Sequence, residues 1–172
     1  MKYRQFFAVC LVALAAVTGC EKPASNTGPA VDLSGPRQAQ PRLPTIQLWL
    51  GPEQMTAEMA VTDLQVMTGM MFRTNMAENE GMIFVLGAPS PAHFWMKNCY
   101  VPLSVAYIDP EGVIQEIHDL QPHNTNTVNS VSPNIAFALE TPQGWFQHHN
   151  IQSGMIVRTE RGSLMDTFHR RR

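Results

Sequence analysis

Apolar side chains alternate with polar or aromatic neighbours over several short stretches of the chain, and this spacing predicts β-strands. Starting at Thr45, the residues Ile46, Leu48 and Leu50 recur at every second position, which is the period of a half-buried strand. Other apolar runs predict further strands over residues 55–61, 82–86, 93–96, 104–108, 113–118, 135–139 and 155–158. The pattern therefore predicts a domain built mainly of short strands.

The connection between two of these strands has the composition of a tight turn. Asp109, Pro110 and Gly112 occupy the first, second and fourth positions that a type I turn favours. The flanking segments 104–108 and 113–118 are therefore expected to pair as an antiparallel hairpin.

Helical signals are few. Thr62 and Gln65 have the spacing of a capping box, and Leu64 and Met67 follow at helical spacing, so a short helix is expected after Thr62. Residues 145–150 are expected to form a turn or a second short helix. The residues thus predict an α+β domain that is mainly antiparallel β, with one or two short helices.

The N-terminus has the organisation of an export signal. Lys2 and Arg4 precede an apolar run over residues 6–17, which is shorter than the roughly 20 residues that span a bilayer. The run ends in Val-Thr-Gly-Cys, which resembles the lipobox of bacterial lipoproteins. Residues 1–19 are therefore expected to be a lipoprotein signal peptide, with Cys20 as the lipidated residue. An ordinary signal peptide with a chance cysteine is the alternative.

Two segments outside the predicted domain lack the apolar residues that a core needs. Residues 20–44 are expected to form a disordered tether, because they contain five prolines among small and polar residues. Residues 159–172 are expected to form a basic C-terminal tail ending in three arginines. The protein is thus predicted to be exported and held on a bacterial membrane through its lipid anchor, with the domain facing the periplasm or the cell exterior.

Five sequence blocks carry a resemblance to a known family. They are GMMFR (69–73), GMIFV (81–85), FWMKNCYVPLSVAYID (94–109), ALETPQGW (138–145) and IQSGMIV (151–157). In this order they resemble the domain of unknown function family 192, small bacterial and archaeal domains often found on exported chains. The resemblance covers residues 45–158 and implies a compact barrel-like sheet with one or two helices, without a settled activity. The chain departs from the family's pattern at Ser104, where Asp is usual, and at Cys99, where Thr is common.

The charged residues of the predicted domain are unevenly distributed. Between residues 45 and 157 there are ten acids but only two fixed cations, Arg73 and Lys97, and both cations follow apolar runs. An Arg fork with a nearby ammonium suits a carboxylate or phosphate, and Trp95 could provide a stacking wall. One interpretation is a pocket for an anionic ligand formed by Arg73, Trp95, Lys97 and Glu140. The other is that the two cations pair internally with Glu140 or Asp109.

Other side chains suggest weaker hypotheses. A thioether is a soft ligand suited to Cu(I), and eight methionines fall within 42 residues, at positions 55, 59, 67, 70, 71, 76, 82 and 96. Methionine also fills irregular cores, which is the structural alternative. Cys99 could be a nucleophile but is expected to be a buried thiol. The histidines lack the spacing of a zinc site, and no metal or cofactor is expected.

The sequence therefore favours a membrane-tethered binding or accessory module over an enzyme, with a small anionic ligand or an envelope protein as its partner. An envelope hydrolase using Glu140 and Lys97 is one alternative, and a methionine-rich copper-binding protein is another. The formal net charge of −2 argues against a nucleic-acid partner.

Overall fold

The computed structural model of the protein describes residues 35–169. The predicted signal peptide, Cys20 and most of the predicted tether lie outside the described residues. Residues 170–172 of the predicted tail also lie outside them.

Strands predominate within residues 35–169, and they are joined by short turns and three short helices. The strands are β1 (Thr45–Leu50), β2 (Glu53–Ala60), β3 (Glu80–Ser90), β4 (His93–Phe94), β5 (Leu103–Ile108), β6 (Ile114–Leu120), β7 (Val128–Asn129), β8 (Ile135–Pro142), β9 (Val157–Thr159) and β10 (Gly162–Ser163). The helices are α1 (Asp63–Thr68), α2 (Trp145–His148) and α3 (Leu164–Phe168).

Eight of the strands form one sheet in the order β10-β9-β1-β2-β3-β8-β5-β6. All neighbours in this sheet are antiparallel except β2 and β3, which are parallel. The two ends of the sheet approach each other, since Ile114 N donates to Met155 O at 2.9 Å and Val157 N donates to Gly112 O at 2.8 Å. The sheet is therefore barrel-like without closing fully, which confirms the predicted mainly antiparallel α+β fold.

The sheet buries apolar side chains on both faces. One face supplies a core that includes Leu48, Ile83, Phe137 and Leu139. The opposite face supplies a second core, with Met82, Phe84, Val105, Tyr107 and Ala138 among its buried residues. The candidate site described below lies on this second face, which is covered by the segments that follow α1 and β4.

Local sequence signals have the predicted structural effects. The Thr62 side chain accepts from Gln65 N, and the Gln65 side chain accepts from Thr62 N, so the capping box at α1 is complete. The β5–β6 hairpin is present, and its turn has Gly112 at φ 85°, with Asp109 Oδ1 accepting from Val113 N at 2.8 Å. Both features depend on neighbours in sequence, which is why they were predictable.

The C-terminal segment differs from the predicted tail over residues 159–169. Thr159 ends β9, and α3 follows β10 with Ser163 as its N-cap. Leu164 is fully buried, and the Phe168 ring lies 6.0 Å from the Phe137 ring. The prediction relied on the charge of the terminal arginines and did not take Leu164 and Phe168 into account. These two apolar side chains attach the segment to the core.

The end of the predicted tether is also part of the fold. We call residues 40–43 the strap. The amide of Gln40 donates to Gln65 O at 3.2 Å and to Gly69 O at 2.9 Å, and Leu43 N donates to Glu58 Oε2 at 2.7 Å. Hydrogen bonding, which composition does not reveal, holds this proline-flanked segment against α1 and β2.

Candidate functional site

Two buried glutamates lie on the same row of the sheet. In the pairing register, Glu58 of β2 is opposite Met82 of β3, and Met82 is in turn opposite Glu140 of β8. The row continues to Val105 of β5. Since facing residues in a sheet share a side, both carboxylates are presented to the segments that cover the second core.

Glu58 is enclosed by donors. Arg73 forms a two-pronged pair with it, Nη1 to Oε1 at 3.0 Å and Nη2 to Oε2 at 2.9 Å, and Arg42 Nη1 lies 2.9 Å from Oε1. With Leu43 N, three groups therefore donate to this carboxylate. Burial opposes its ionisation, but the bonds from Arg73, Leu43 and Arg42 outweigh burial and lower the pKa of Glu58. The arrangement is a closed ion pair.

The predicted convergence of Arg73, Lys97 and Glu140 does not occur. Arg73 pairs with Glu58 and donates additionally to Pro41 O of the strap at 3.3 Å. Lys97 is exposed, and its Nζ lies 5.3 Å from the centre of the Trp95 ring. The prediction was wrong because Glu58 and Glu140 are two strands apart, and the segment carrying Arg73 reaches only the first of them.

Glu140 instead faces a pocket of about 340 Å³. Its wall combines α1 and the turn after it, the end of β3 and the segment around β4. The lining residues are Val66, Met67, Thr68, Gly69, Met70, Met71, Phe84, Leu86, Ser90, Pro91, Ala92, His93, Phe94, Trp95, Cys99 and Glu140. Glu140 is the one acidic residue in this lining, and the lining contains no Arg or Lys.

Within the described part of the chain, the Glu140 carboxyl is buried without an ion pair, and one of its oxygens has no hydrogen bond. The residue is 4% exposed, and its Oε2 has no hydrogen-bond partner. Burial alone raises the pKa of Glu140 to about 8. The carboxyl therefore holds its proton at neutral pH, and an acceptor remains available toward the pocket.

Backbone conformations rare for side-chain-bearing residues shape the cover of the second core. Phe72 and Asn98 both have positive φ, 62° and 59°, and Phe72 N donates to Asn98 O at 2.7 Å. This bond joins the segment after α1 to the turn after β4. Gly69 ends α1 at φ 46°, where a Cβ would lie 3.3 Å from the Phe84 ring. The pocket wall therefore depends on a specific chain path rather than on side chains alone.

Aromatic rings and exposed apolar groups mark the mouth of the pocket. Phe94 packs edge-to-face on Phe84, with ring centres 5.1 Å apart. Trp95 is 42% exposed and Met67 is 53% exposed, although both line the pocket. The pocket thus opens to solvent between α1 and the segment around β4.

Cys99 and Ser104, at which the chain departs from the family's pattern, both lie in surroundings that indicate a structural role. Burial and the nearby Glu140 charge raise the pKa of the Cys99 thiol to about 12, so the thiolate needed for nucleophilic attack is disfavoured. Ser104 donates to Asp119 Oδ1 at 2.6 Å and accepts from Gly144 N at 2.9 Å. Ser104 therefore ties β5 to β6 and to the turn before α2.

No group of three or more His, Cys, Asp or Glu residues among positions 35–169 could hold a metal ion. Thioethers can also bind soft metals, and three methionines line the pocket beside Cys99: Met67, Met70 and Met71. Part of the methionine cluster seen in sequence therefore lies at the candidate site.

Sequence reasoning missed the partner of Arg73. Glu58 was one of ten acids, and Arg42 fell outside the domain boundary drawn at Thr45. A signal was nevertheless available, because Glu58 stands between Ala57 and Met59, in a run over residues 57–61 that is otherwise apolar. A charged residue at such a position requires a partner.

Comparison with known proteins identifies the family. The chain belongs to the DUF192 family, whose model, described as an uncharacterised ACR, matches residues 47–159. This confirms the resemblance seen in the five sequence blocks. No curated protein matches the chain.

Two solved structures share the fold. One, from Sinorhizobium meliloti 1021 and described provisionally as a transcription regulator, is 29% identical with a TM-score of 0.65, covering 70% of this chain and 98% of that one. The other, a protein of unknown function from Novosphingobium aromaticivorans DSM 12444, is 24% identical with a TM-score of 0.64. That match covers 73% of this chain and 94% of the other, and it shows the fold alone.

Proposed function

We propose that this protein is a membrane-tethered envelope lipoprotein whose domain binds a small molecule in the pocket over Glu140. The observation that carries the proposal is the unpartnered, buried Oε2 of Glu140 at an apolar pocket. A buried polar atom without a partner is costly to the fold, and a ligand that satisfies it removes this cost. Concave, mostly apolar sites with a few polar groups are typical of small-molecule binding.

The pocket lining favours a compact apolar ligand rather than the anion predicted from sequence. Arg73 is occupied by Glu58, and the lining offers a carboxyl group without a cationic side chain. The volume of about 340 Å³ is roughly twice that of a cavity that holds benzene. A ligand with one ring or a short chain and one polar end suits this space.

A hydrolase mechanism has less support. Lys97 is held over Trp95 and makes no ion pair with Glu140 within the described residues. Cys99 is protonated, and hydrolysis needs an activated base or nucleophile within reach of the substrate. Transcription regulation, the role named for the Sinorhizobium structure, is not our proposal, because a net charge of −2 disfavours a phosphate-backbone partner.

The location proposed here depends on Cys20. Among residues 35–169, no helix has the length and apolar character needed to cross a membrane. Cys20→Ser should release the protein from membranes or leave an uncleaved precursor, as measured by fractionation and by the mass of the product. Unchanged fractionation with a normal processed mass would refute the lipid anchor.

The pocket can be tested without knowing its natural ligand. Ser90 lies exposed in the pocket lining, so Ser90→Trp should obstruct the pocket with little effect on the fold. Val131→Trp is the matched control, since Val131 is exposed and outside the lining. In an NMR screen of small apolar compounds, those that bind should shift the signals of residues around Glu140. Their affinity should fall for the Ser90→Trp variant and stay unchanged for the Val131→Trp variant. Equal binding to both variants would contradict the proposed site.

Copper(I) binding is a second candidate, favoured by the three methionines and the Cys99 thiol in one pocket lining. The protein should then withdraw one Cu(I) from a chromogenic chelator. Met71→Leu and Cys99→Ser should weaken this competition, whereas Met165→Leu, outside the pocket, should not. Failure to compete with a weak chelator would exclude copper.

A further inference from the structure

We propose that the ligand of this pocket is an organic ammonium ion on a compact apolar body, bound by an ion pair with the Glu140 carboxylate. This inference rests on the proposed small-molecule function and names the class of compound. The unpartnered oxygen, the composition of the lining and the charges around Glu140 support it.

The pocket presents one strong acceptor and no competing cation. Glu140 Oε2 lacks a partner, and Arg73, one of the two cations predicted to reach it, has both of its Nη atoms on Glu58. The Lys97 ammonium lies over Trp95, and Lys97 is not among the lining residues. A ligand must therefore bring its own positive charge if Glu140 is to be paired.

The remaining lining also suits a cation with an apolar body. Phe84 and Phe94 contribute aromatic rings, whose faces are electron-rich and attract cations. Met70 and Met71 contribute polarizable thioethers that adapt to the shape of a ligand. An anionic ligand would instead meet an acid and these same electron-rich surfaces.

Most of the titratable groups around Glu140 are acids, and the one base in the lining, His93, has a protein partner. Burial, followed by the Glu140 charge, raises the pKa of Cys99, on the segment after β4, and of Tyr107, on β5. The Tyr107 hydroxyl already donates to Val128 O, and Glu116 on β6 also raises its pKa. His93 in the lining is bonded through Nδ1 to Asn129 Oδ1 at 2.9 Å. These described residues therefore leave Glu140 without a cationic partner.

Binding of an ammonium ion must then displace a proton. Burial raises the pKa of Glu140 to about 8, so the empty pocket holds a neutral carboxyl at pH 6–7. An alkyl ammonium, like that of lysine, stays charged over this range. Formation of the ion pair releases the carboxyl proton to solvent, and affinity should rise on the order of tenfold per pH unit up to about pH 8.

Three matched probes test the inference on the full mature chain: cyclohexylammonium, cyclohexanol and cyclohexanecarboxylate. Calorimetry in buffers of different ionisation enthalpy measures both affinity and proton release. We expect cyclohexylammonium to bind best, to release close to one proton at pH 6, and to bind more than tenfold tighter at pH 8 than at pH 6. Glu140→Gln should lose the proton release and the pH dependence, whereas Lys97→Met should keep both.

The outcomes separate this inference from the proposed function. Preferential binding of cyclohexanol or cyclohexanecarboxylate, lost in Ser90→Trp, would overturn the ammonium class and leave the pocket intact as a binding site. Ammonium binding without proton release would also overturn the inference, and it can be read on the unmodified protein even if Glu140→Gln folds poorly. The proposed function itself fails if none of the three probes binds and if no compound from the NMR screen loses its binding in the Ser90→Trp variant.

Discussion

Glu58 and Glu140 occupy equivalent positions on either side of Met82, yet their surroundings are opposite. Glu58 receives bonds from Arg73, Arg42 and Leu43 N. Glu140 receives none at Oε2 and faces a pocket instead. The same residue type on one row of one sheet thus forms a closed structural pair at one position and an open acceptor at the other.

The difference shows how to separate structural from functional buried charge. A carboxylate whose donors all come from the protein stabilises a chain path, here the strap and the segment after α1. A carboxylate left unpartnered at a pocket weakens the fold and is retained at the expense of stability. Perturbed acids in clefts are therefore stronger functional candidates than paired ones.

The largest effect is expected from breaking the closed pair. Arg73→Met leaves Glu58 buried with only the exposed Arg42 side chain and Leu43 N as donors, so the free energy of unfolding should fall by about 3–5 kcal/mol. Chemical denaturation measures this loss. Arg42→Met is the control, because the Arg42 side chain is 58% exposed and should contribute less than about 1 kcal/mol. Equal losses in the two variants would contradict the assignment of Arg73 as the principal partner.

The open acid should produce a stability that decreases with rising pH. A carboxyl whose pKa is raised on folding contributes stability that is fully present below its unfolded pKa and lost as pH rises toward about 8. Unfolding free energy should therefore fall by about 2–4 kcal/mol between pH 5 and pH 8. Glu140→Gln should flatten this slope in denaturation series. A slope that persists in Glu140→Gln would assign it to another group.

Glu58 should act with the opposite sign. Its lowered pKa contributes stability that is present above the ordinary carboxyl range and lost as pH falls through the folded pKa. Protonation of Glu58 should therefore contribute to acid unfolding in a pH titration of stability. This effect is separable from that of Glu140, because the Glu58 window lies below the ordinary carboxyl range and the Glu140 window lies above it.

Removing the strap should have an intermediate effect. A chain beginning at Thr45 loses the bonds from Arg42 and Leu43 N to Glu58 and those from Gln40 to the end of α1. Compared with a chain beginning at Gly35, it should lose about 1–3 kcal/mol of stability by thermal or chemical denaturation. Identical melting of the two chains would show that the strap adds no stability, as expected for a disordered tether.

The smallest effect is expected at the rim. Lys97→Met removes an exposed cation that lies over the Trp95 ring and forms no ion pair among the described residues, so stability should change by less than about 1 kcal/mol. A larger loss in the same denaturation assay would indicate that Lys97 reaches a buried acid after all.

Features of the fold that depend on residues close together in the chain could be predicted from the sequence. The alternation of apolar residues predicted β1, and the capping box at Thr62 and Gln65 predicted the start of α1. The Asp-Pro-x-Gly turn placed the β5–β6 hairpin, and the five blocks identified the family. The spacing of apolar side chains, the residues of a turn and the capping of a helix each involve only a few neighbouring residues. These signals are therefore visible in one sequence.

Tertiary structure alone decided which residues meet. The parallel pairing of β2 with β3 put Glu58 and Glu140 on one row, and the path of the chain after α1 brought Arg73 to the first of them. The sequence from residue 45 to 157 contains ten acids and two fixed cations, so many ion pairs were possible. The strand register and the path of the loops determine which of these pairs form. The unpartnered oxygen of Glu140 is likewise a consequence of that choice, because a sequence states which charges exist but not which of them are left without a partner.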